Sequence, residues 1–370
     1  MRILFVSHSC RMGGAETVLL EVLKVARLNP EAKLTLVIPF EKDEVLVRKL
    51  SSSNIDIDLV RLPYKIIRES LLLSVRNIVY SLWAVAYLSF FCKRNRVDVI
   101  YSNSSVNFIG AVVARLLSLR HIWHIHEQPD DKKKWIAEPL VGIYRRLFCR
   151  KRNTVVCISR ITLNLWETFL GVRLDNAQVI YSPIKEFPFG EGREKSASFV
   201  FGYAGSLDAN KNIRTLLDAF RIVRERSDVE LRIAGTGPDS ALLRQYVRSE
   251  GIEGVDFVGF QSDLTSFYRS IDALVLPSFN ESWGLVALEA LSWGKALVLT
   301  RVTGLREVLE ERKHCLYIDP HSVQGLCDAM SELLSDAYLR ETMKEQGREL
   351  LRELNLNENF RRKIQSLLFQ

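Results

Sequence analysis

The chain has 370 residues, 47% hydrophobic and 26% charged, which excludes a disordered protein and supplies core enough for two domains. A formal charge of +7 with a basic first half suits a solvated surface, an anionic lipid or an anionic substrate. Nucleic acid fits least, because no recognised nucleic-acid-binding module accompanies the charge.

The start, Met1 to Val6, is too short and too quickly polar for a signal peptide and reads as a first strand. Six cysteines (Cys10, Cys92, Cys149, Cys157, Cys315, Cys327) form no CxxC pair and fit free thiols in a reducing cytoplasm. After the strand, Ser7 to Glu16 carries the pair Gly13-Gly14, and Thr17–Arg27 has helical spacing. A glycine pair at such a turn lets backbone approach a ligand closely. It is not the GxGxxG fingerprint, and a plain tight turn explains it equally well.

Further strands are expected at Leu34–Ile38, Asp56–Val60, Val99–Ser102, Ile122–Ile125, Thr154–Ile158 and Gln178–Ile180. Leu71 to Cys92 is the most apolar stretch and approaches membrane-spanning length, but Arg76 and Asn77 interrupt it. A buried or half-buried helix is the better reading. Its outer face, with Trp83, Tyr87, Phe90 and Phe91 followed by Lys93 and Arg94, would suit a membrane interface. Basic clusters also stand at Lys132-Lys133-Lys134, Arg145-Arg146 and Arg150-Lys151-Arg152.

Alternation places His124 and His126 on one face of the fifth strand, with His126 nearer its end. Two histidines start a metal site, but no third ligand is evident, and a lone strand-end histidine is more often structural. Residues 184–198 carry prolines, glycines and mixed charge without period and read as a linker.

Alternation resumes with strands at Phe199–Tyr203, Leu231–Ala234, Val255–Val258, Ala273–Leu276, Ala296–Leu299 and Leu316–Ile318. Helices are expected at Ile213–Arg224, Ser240–Arg248, Leu285–Trp293 and Val323–Leu334, and the segment from Tyr338 on is charged and helical. The pattern predicts two doubly wound Rossmann-like α/β domains facing a central cleft: 1–183, then 199–355, with 356–370 a helix packing back on the first. Lys211 precedes a helix and is a candidate phosphate ligand, though a surface lysine is the commoner case. Gly235, Gly237, Phe260 and Gln261 follow strands on the same sheet edge, where backbone groups would read a nucleobase.

The densest signal is Phe279 to Glu289. Gly284 marks a helix start whose free amides and dipole suit a diphosphate. Glu281 falls in the strand-to-helix loop, and Glu289 about two turns into the helix. A carboxylate on each side of that site would grip sugar-nucleotide hydroxyls.

Together these pieces resemble the retaining GT-B glycosyltransferases of family 4, over most of the chain. The most specific element is Glu281-x7-Glu289 within Pro277 to Leu285. Gly13 to Glu16, His126-Glu127, Ile158-Ser159, Val179 to Pro183, Gly205 to Lys211 and Thr303 to Val308 support it. Two departures stand out: Ser206 occupies a position where the family often has arginine, and Ser182-Pro183 replaces its usual Asn-Gly.

The resemblance implies transfer of a sugar from a UDP- or GDP-sugar to an acceptor hydroxyl with retention. No Asp-x-Asp metal motif accompanies the nucleotide site, since Asp130-Asp131 is adjacent and lacks the spacing, so independence of a metal or other cofactor is expected. The resemblance also implies Lys211, with the amides of Trp283, Gly284 and Leu285, at the diphosphate, and Glu289 at the ribose. Glu281 would bind the donor sugar, His126 the sugar or acceptor, and Gly13 and Gly14 would leave room for them. Ser206 and Ser282 complete the implied donor pocket. A glycan or lipid-linked acceptor in bacterial surface-polysaccharide or glycolipid assembly fits best, which would place the protein in the cytoplasm, peripherally at the inner membrane face. A nucleotide-sugar epimerase of the same fold and a non-catalytic nucleotide-sugar-binding protein are the alternatives.

Overall fold

The computed structural model describes residues 1–41, 44–53, 55–64, 71–129, 138–185 and 198–369. Asp130, Asp131, the Lys132 to Lys134 cluster and most of the segment read as a linker lie outside the described residues. The chain forms two compact units, Met1–Pro183 together with Asn357–Gln370, and Ile184–Leu356.

The first unit runs β1 (Arg2–Val6), α1 (Gly14–Arg27), β2 (Lys33–Pro39), α2 (Val45–Ser52), β3 (Asp58–Leu62), α3 (Leu71–Arg94) and β4 (Val99–Asn103). It continues with α4 (Ile109–Leu116), β5 (Arg120–Ile125), α5 (Glu138–Phe148), β6 (Asn153–Cys157), α6 (Arg160–Leu170) and β7 (Ala177–Val179). Its seven strands pair in the order β3-β2-β1-β4-β5-β6-β7, every pair parallel. Ile3 to Val6 and Ile122, Trp123 and Ile125 are buried because helices cover both faces of such a sheet, as their unbroken apolar runs require.

The second unit runs β8 (Phe199–Ala204), α7 (Ile213–Arg224), β9 (Val229–Ala234), α8 (Ser240–Ser249), β10 (Val255–Gly259), α9 (Thr265–Ser270) and β11 (Ala273–Leu276). Then come α10 (Leu285–Ser292), β12 (Ala296–Thr300), β13 (Leu316–Ile318), α11 (Val323–Ser335) and α12 (Ala337–Leu354). The strands pair in parallel in the order β10-β9-β8-β11-β12-β13. The last helix, α13 (Leu356–Phe369), belongs largely to the first unit, where Leu367 O accepts from the Arg120 guanidinium and Lys363 Nζ donates to Val179 O.

Both sheets reverse direction once, between β1 and β4 and between β8 and β11. Loops leaving the carboxyl ends of strands diverge at such a point and open a crevice for ligands.

Strand and helix limits follow the sequence reading to within a turn, with three informative differences. Helix α1 starts at Gly14 rather than Thr17, with Gly13 in an extended N-cap conformation, so neither glycine is there for a left-handed turn. Glu289 is the fifth residue of α10, so it opens the second turn instead of lying two turns in. Phe91, grouped with the outer face of α3, packs instead against the core around Leu88 and Cys92. Among the described residues no helix is long and apolar enough to cross a membrane.

Candidate active site

In the second unit, the loop after β8 and the loop after β11 meet across the switch point. Phe279 N donates to Asn210 O at 2.8 Å, and the Asn210 amide donates to Asn280 O at 2.8 Å. Asn212, in the left-handed region, donates to Pro277 O and Pro320 O, fixing the loop that ends in Lys211. Asn and Asp tolerate that conformation better than other side chains.

Stitched this way, Lys211 Nζ stands 2.6 Å from Glu281 Oε2, with both side chains about one-fifth exposed. Burial works against the Lys211 ammonium, but the charge and hydrogen bond of Glu281 outweigh it and raise the lysine pKa. Gly304 N donates to Glu281 O, tying the glutamate to the loop after β12.

Gly284 caps α10 at φ 89°, and a side chain there would press on Leu305 and on Glu281. Only glycine adopts this conformation freely. Helix geometry leaves the amides of Leu285 and Val286 without intrahelical partners. Trp283 is buried. Ser282 and Leu285 are half-buried beside it. Glu289 projects from the second turn, where Tyr268 Oη donates to its Oε2 at 2.8 Å. Burial raises the Glu289 pKa, and the Tyr268 hydrogen bond and the Lys185 charge offset part of that.

Gly235 and Gly237 have a packing reason of their own. A Cβ on Gly235 would overlap Gly205 O, and one on Gly237 would overlap the Leu207 backbone. The bonds from Gly205 N to Ala234 O, Leu207 N to Thr236 O and Gly235 N to Gly259 O join these three loops. Ser206 is exposed and donates to Asp208 Oδ2 at 2.6 Å. Phe260 is exposed, and Gln261 is exposed with its amide donating to Val258 O.

The first unit carries a second cluster at the ends of β1, β4 and β5. His126 Nε2 lies 2.8 Å from Asn103 Oδ1, while Asn103 Nδ2 donates to Ala15 O at 3.2 Å. An amide oxygen only accepts, so His126 carries its proton on Nε2 and leaves Nδ1 as an acceptor. Burial, with His124 and His8 near by, holds the His126 pKa well below the ordinary value, so the ring is neutral.

Sequence reasoning did not single out Asn103 or the pair of His8 and Glu16, whose Nδ1 and Oε1 are 3.2 Å apart. Glu16 is buried, and burial raises its pKa although His8 lowers it. A Cβ on Gly13 would stand 3.2 Å from Glu16 Oε2, whereas Gly14 faces open space. Glu127 is committed structurally, since its carboxylate accepts from the Ser104 hydroxyl and from the amide and hydroxyl of Ser105. Among the described residues no group of three or more His, Cys, Asp or Glu is arranged to hold a metal ion.

Two parallel Rossmann-like α/β units, each with polar residues at its switch point, define the GT-B class of glycosyltransferase. Residues 12–186 match the model of Glycosyltransferase Family 4, and residues 185–350 match that of Glycosyl transferases group 1. The chain belongs to this family and is a glycosyltransferase.

An uncharacterised glycosyltransferase of Methanocaldococcus jannaschii is 25% identical over 265 residues, covering 70% of this chain and 72% of that one. A D-inositol 3-phosphate glycosyltransferase of Paenarthrobacter aurescens is 33% identical over 156 residues, 40% of this chain and 38% of that one. Among solved structures, HepE of Anabaena in complex with UDP-glucose superposes with a TM-score of 0.81 at 19% identity, covering 100% of this chain and 99% of that one. At that identity the likeness speaks for the fold.

Proposed function

We propose that the protein transfers a sugar from a nucleoside-diphosphate sugar, a UDP- or GDP-sugar, to an acceptor hydroxyl with retention of configuration and without a metal. The observation that carries this reading is the Lys211–Glu281 pair at the β8/β11 switch point, beside the start of α10. The HepE neighbour, of the same fold, holds UDP-glucose.

In this reading the diphosphate displaces Glu281 from Lys211 and takes the ammonium and the α10 amides as its own partners. Glu281 turns to the donor-sugar hydroxyls, and Glu289 holds the ribose. As the bond from the anomeric carbon to phosphate oxygen breaks, negative charge grows on the leaving diphosphate. Preorganised donors at that place lower the barrier. The acceptor oxygen bonds to the same face of the anomeric carbon, and its proton passes to the departing phosphate. His126, neutral and oriented by Asn103, contacts the sugar or acceptor.

The acceptor is a glycan or lipid-linked molecule of bacterial surface-polysaccharide or glycolipid assembly, met at the cytoplasmic face of the membrane. The basic first half of the sequence supports an anionic or lipid-linked acceptor. The test is a thermal-shift screen of nucleotide sugars followed by transfer assays with and without EDTA. A ligand that binds only the native state raises its apparent stability. A donor that shifts the melt and is turned over in EDTA supports the reading. No shift with any UDP- or GDP-sugar, or activity lost in EDTA and restored by magnesium, contradicts it. Product formed from donor alone, with its sugar isomerised, points to an epimerase instead.

A further inference from the structure

From Val79 on, helix α3 is apolar on both sides, yet among the described residues only one side is covered. Ala84, Leu88 and Cys92 repeat every fourth residue and are buried against β1, β2, β4 and α4. On the other side Val79, Leu82, Trp83, Tyr87 and Phe90 form a continuous stripe at helical spacing, with Leu82 66% and Phe90 63% exposed. An apolar stripe of this length is not left to water without a reason. Trp83 and Tyr87 stack on each other within it, with ring centroids 5.5 Å apart. Aromatic side chains with one polar end favour the headgroup zone of a bilayer.

Topology adds the charge. Helices α3, α4 and α5 lie side by side on one face of the sheet, and each returns antiparallel to the strands it joins. Their last turns therefore fall along one edge, the amino-terminal edge of the sheet. Lys93 and Arg94 end α3, Arg115 ends α4, and Arg145 and Arg146 end α5, all exposed. The α5–β6 turn adds Arg150, Lys151 and Arg152 to the same edge. Burial and then the charges of Arg152 and Arg115 lower the Arg150 pKa. Among the described residues no carboxylate is paired with Lys93, Arg94, Arg115, Arg146 or Lys151. Leu116, 64% exposed, stands beside Arg115 on this rim.

We propose that the outer face of α3 and the basic rim beside it form one docking surface for an anionic lipid leaflet, the apolar stripe entering the headgroup boundary and the rim pairing with lipid phosphates. An apolar face edged by unpaired positive charge matches an anionic bilayer on both counts. A protein partner would need only one of them. The inference deepens the membrane-face acceptor proposed above, but it is tested without any sugar transfer, so either can fail alone.

The experiment is vesicle sedimentation of the full chain at 0.1 M salt, with phosphatidylglycerol-containing and pure phosphatidylcholine vesicles. Leu82→Glu/Phe90→Glu and Arg94→Glu/Arg115→Glu change exposed residues only, so thermal melts close to the parent check that they fold. The expected result is binding to the anionic vesicles at least tenfold tighter than to the neutral ones, weakened about tenfold by either double variant. Brominated lipid should quench fluorescence that Trp83→Phe removes. Absence of binding to anionic vesicles overturns the proposal. So does binding unchanged in Leu82→Glu/Phe90→Glu, or a dimer in solution that this variant dissolves, which would give the face to a second copy of the chain.

Discussion

Lys211 and Glu281 form a 2.6 Å ion pair across the switch point of the second sheet, one from the loop after β8 and the other from the loop after β11. Each charge serves as the other's counter-ion. A diphosphate entering this place competes with a carboxylate for the same ammonium. Lys211→Ala should therefore cost chiefly turnover, about 100-fold or more in kcat, because the lost contact strengthens as charge develops on the leaving group. Release of the nucleoside diphosphate during transfer measures it. Wild-type turnover in this variant would remove Lys211 from the mechanism.

Glu281→Gln separates the two roles of the pair. Without the competing carboxylate, Lys211 is open to phosphate, so the nucleoside diphosphate of the proposed donor should bind as tightly as to the parent or more tightly. The intact donor sugar nucleotide should lose affinity, since its hydroxyls lose a charged acceptor. Calorimetric titration of both ligands reads the split. Weakening of both by the same factor would assign Glu281 to the nucleotide instead.

Glu289 is held by Tyr268 and has its pKa raised by burial. If the ionised form receives the ribose hydroxyls, donor affinity should begin to fall at a higher pH than an ordinary carboxylate would give. Tyr268→Phe removes one hydrogen bond to the ionised form and should move that fall higher still. Donor-induced thermal shift measured from pH 7.5 down to pH 4.5 follows it. A pH-independent shift would exclude Glu289 from the site.

Glu16 gives a prediction about stability. Its folded-state pKa is raised, so its contribution is fully present below the ordinary carboxyl range and is lost as pH rises through the folded value. Glutamine remains neutral at every pH. Glu16→Gln should therefore melt higher than the parent at pH 7.5, with the advantage gone near pH 4. Melts at the two pH values decide it, and a variant less stable at pH 7.5 would show that the His8 contact outweighs the cost of burial.

Asn103 is fully buried and satisfies both His126 and the Ala15 carbonyl. Asn103→Ala leaves two polar groups without this partner and should cost about 1–3 kcal/mol in denaturant unfolding. Transfer should fall along with it, because His126 loses the bond that sets its tautomer. A variant with parent-like stability and turnover would make the contact incidental.

Much of the second site was legible in the chain. Glu281, Gly284 and Glu289 lie on one strand–loop–helix segment, where the ends of an apolar run and the onset of helical spacing locate each residue to within a turn. The glycines at 235 and 237 were equally visible, but their reason was not. Each packs against backbone at the end of β8, the residue before Ser206 for one and the residue after it for the other. Asn103 carried no signal at all. It connects the first turn of α1 with a histidine after β5, and no local pattern reports such a bridge.

The sequence by itself determined the two α/β units and the transferase family, because alternating apolar periods and a dense loop motif are properties of contiguous residues. Only the tertiary structure decided which charges meet. Lys211 and Glu281 are 70 positions apart, and their pairing depends on β8 and β11 becoming neighbours in a sheet. The same holds for α3. Composition shows that it is apolar, but which of its faces is left uncovered depends on the sheet and helix that pack against the other.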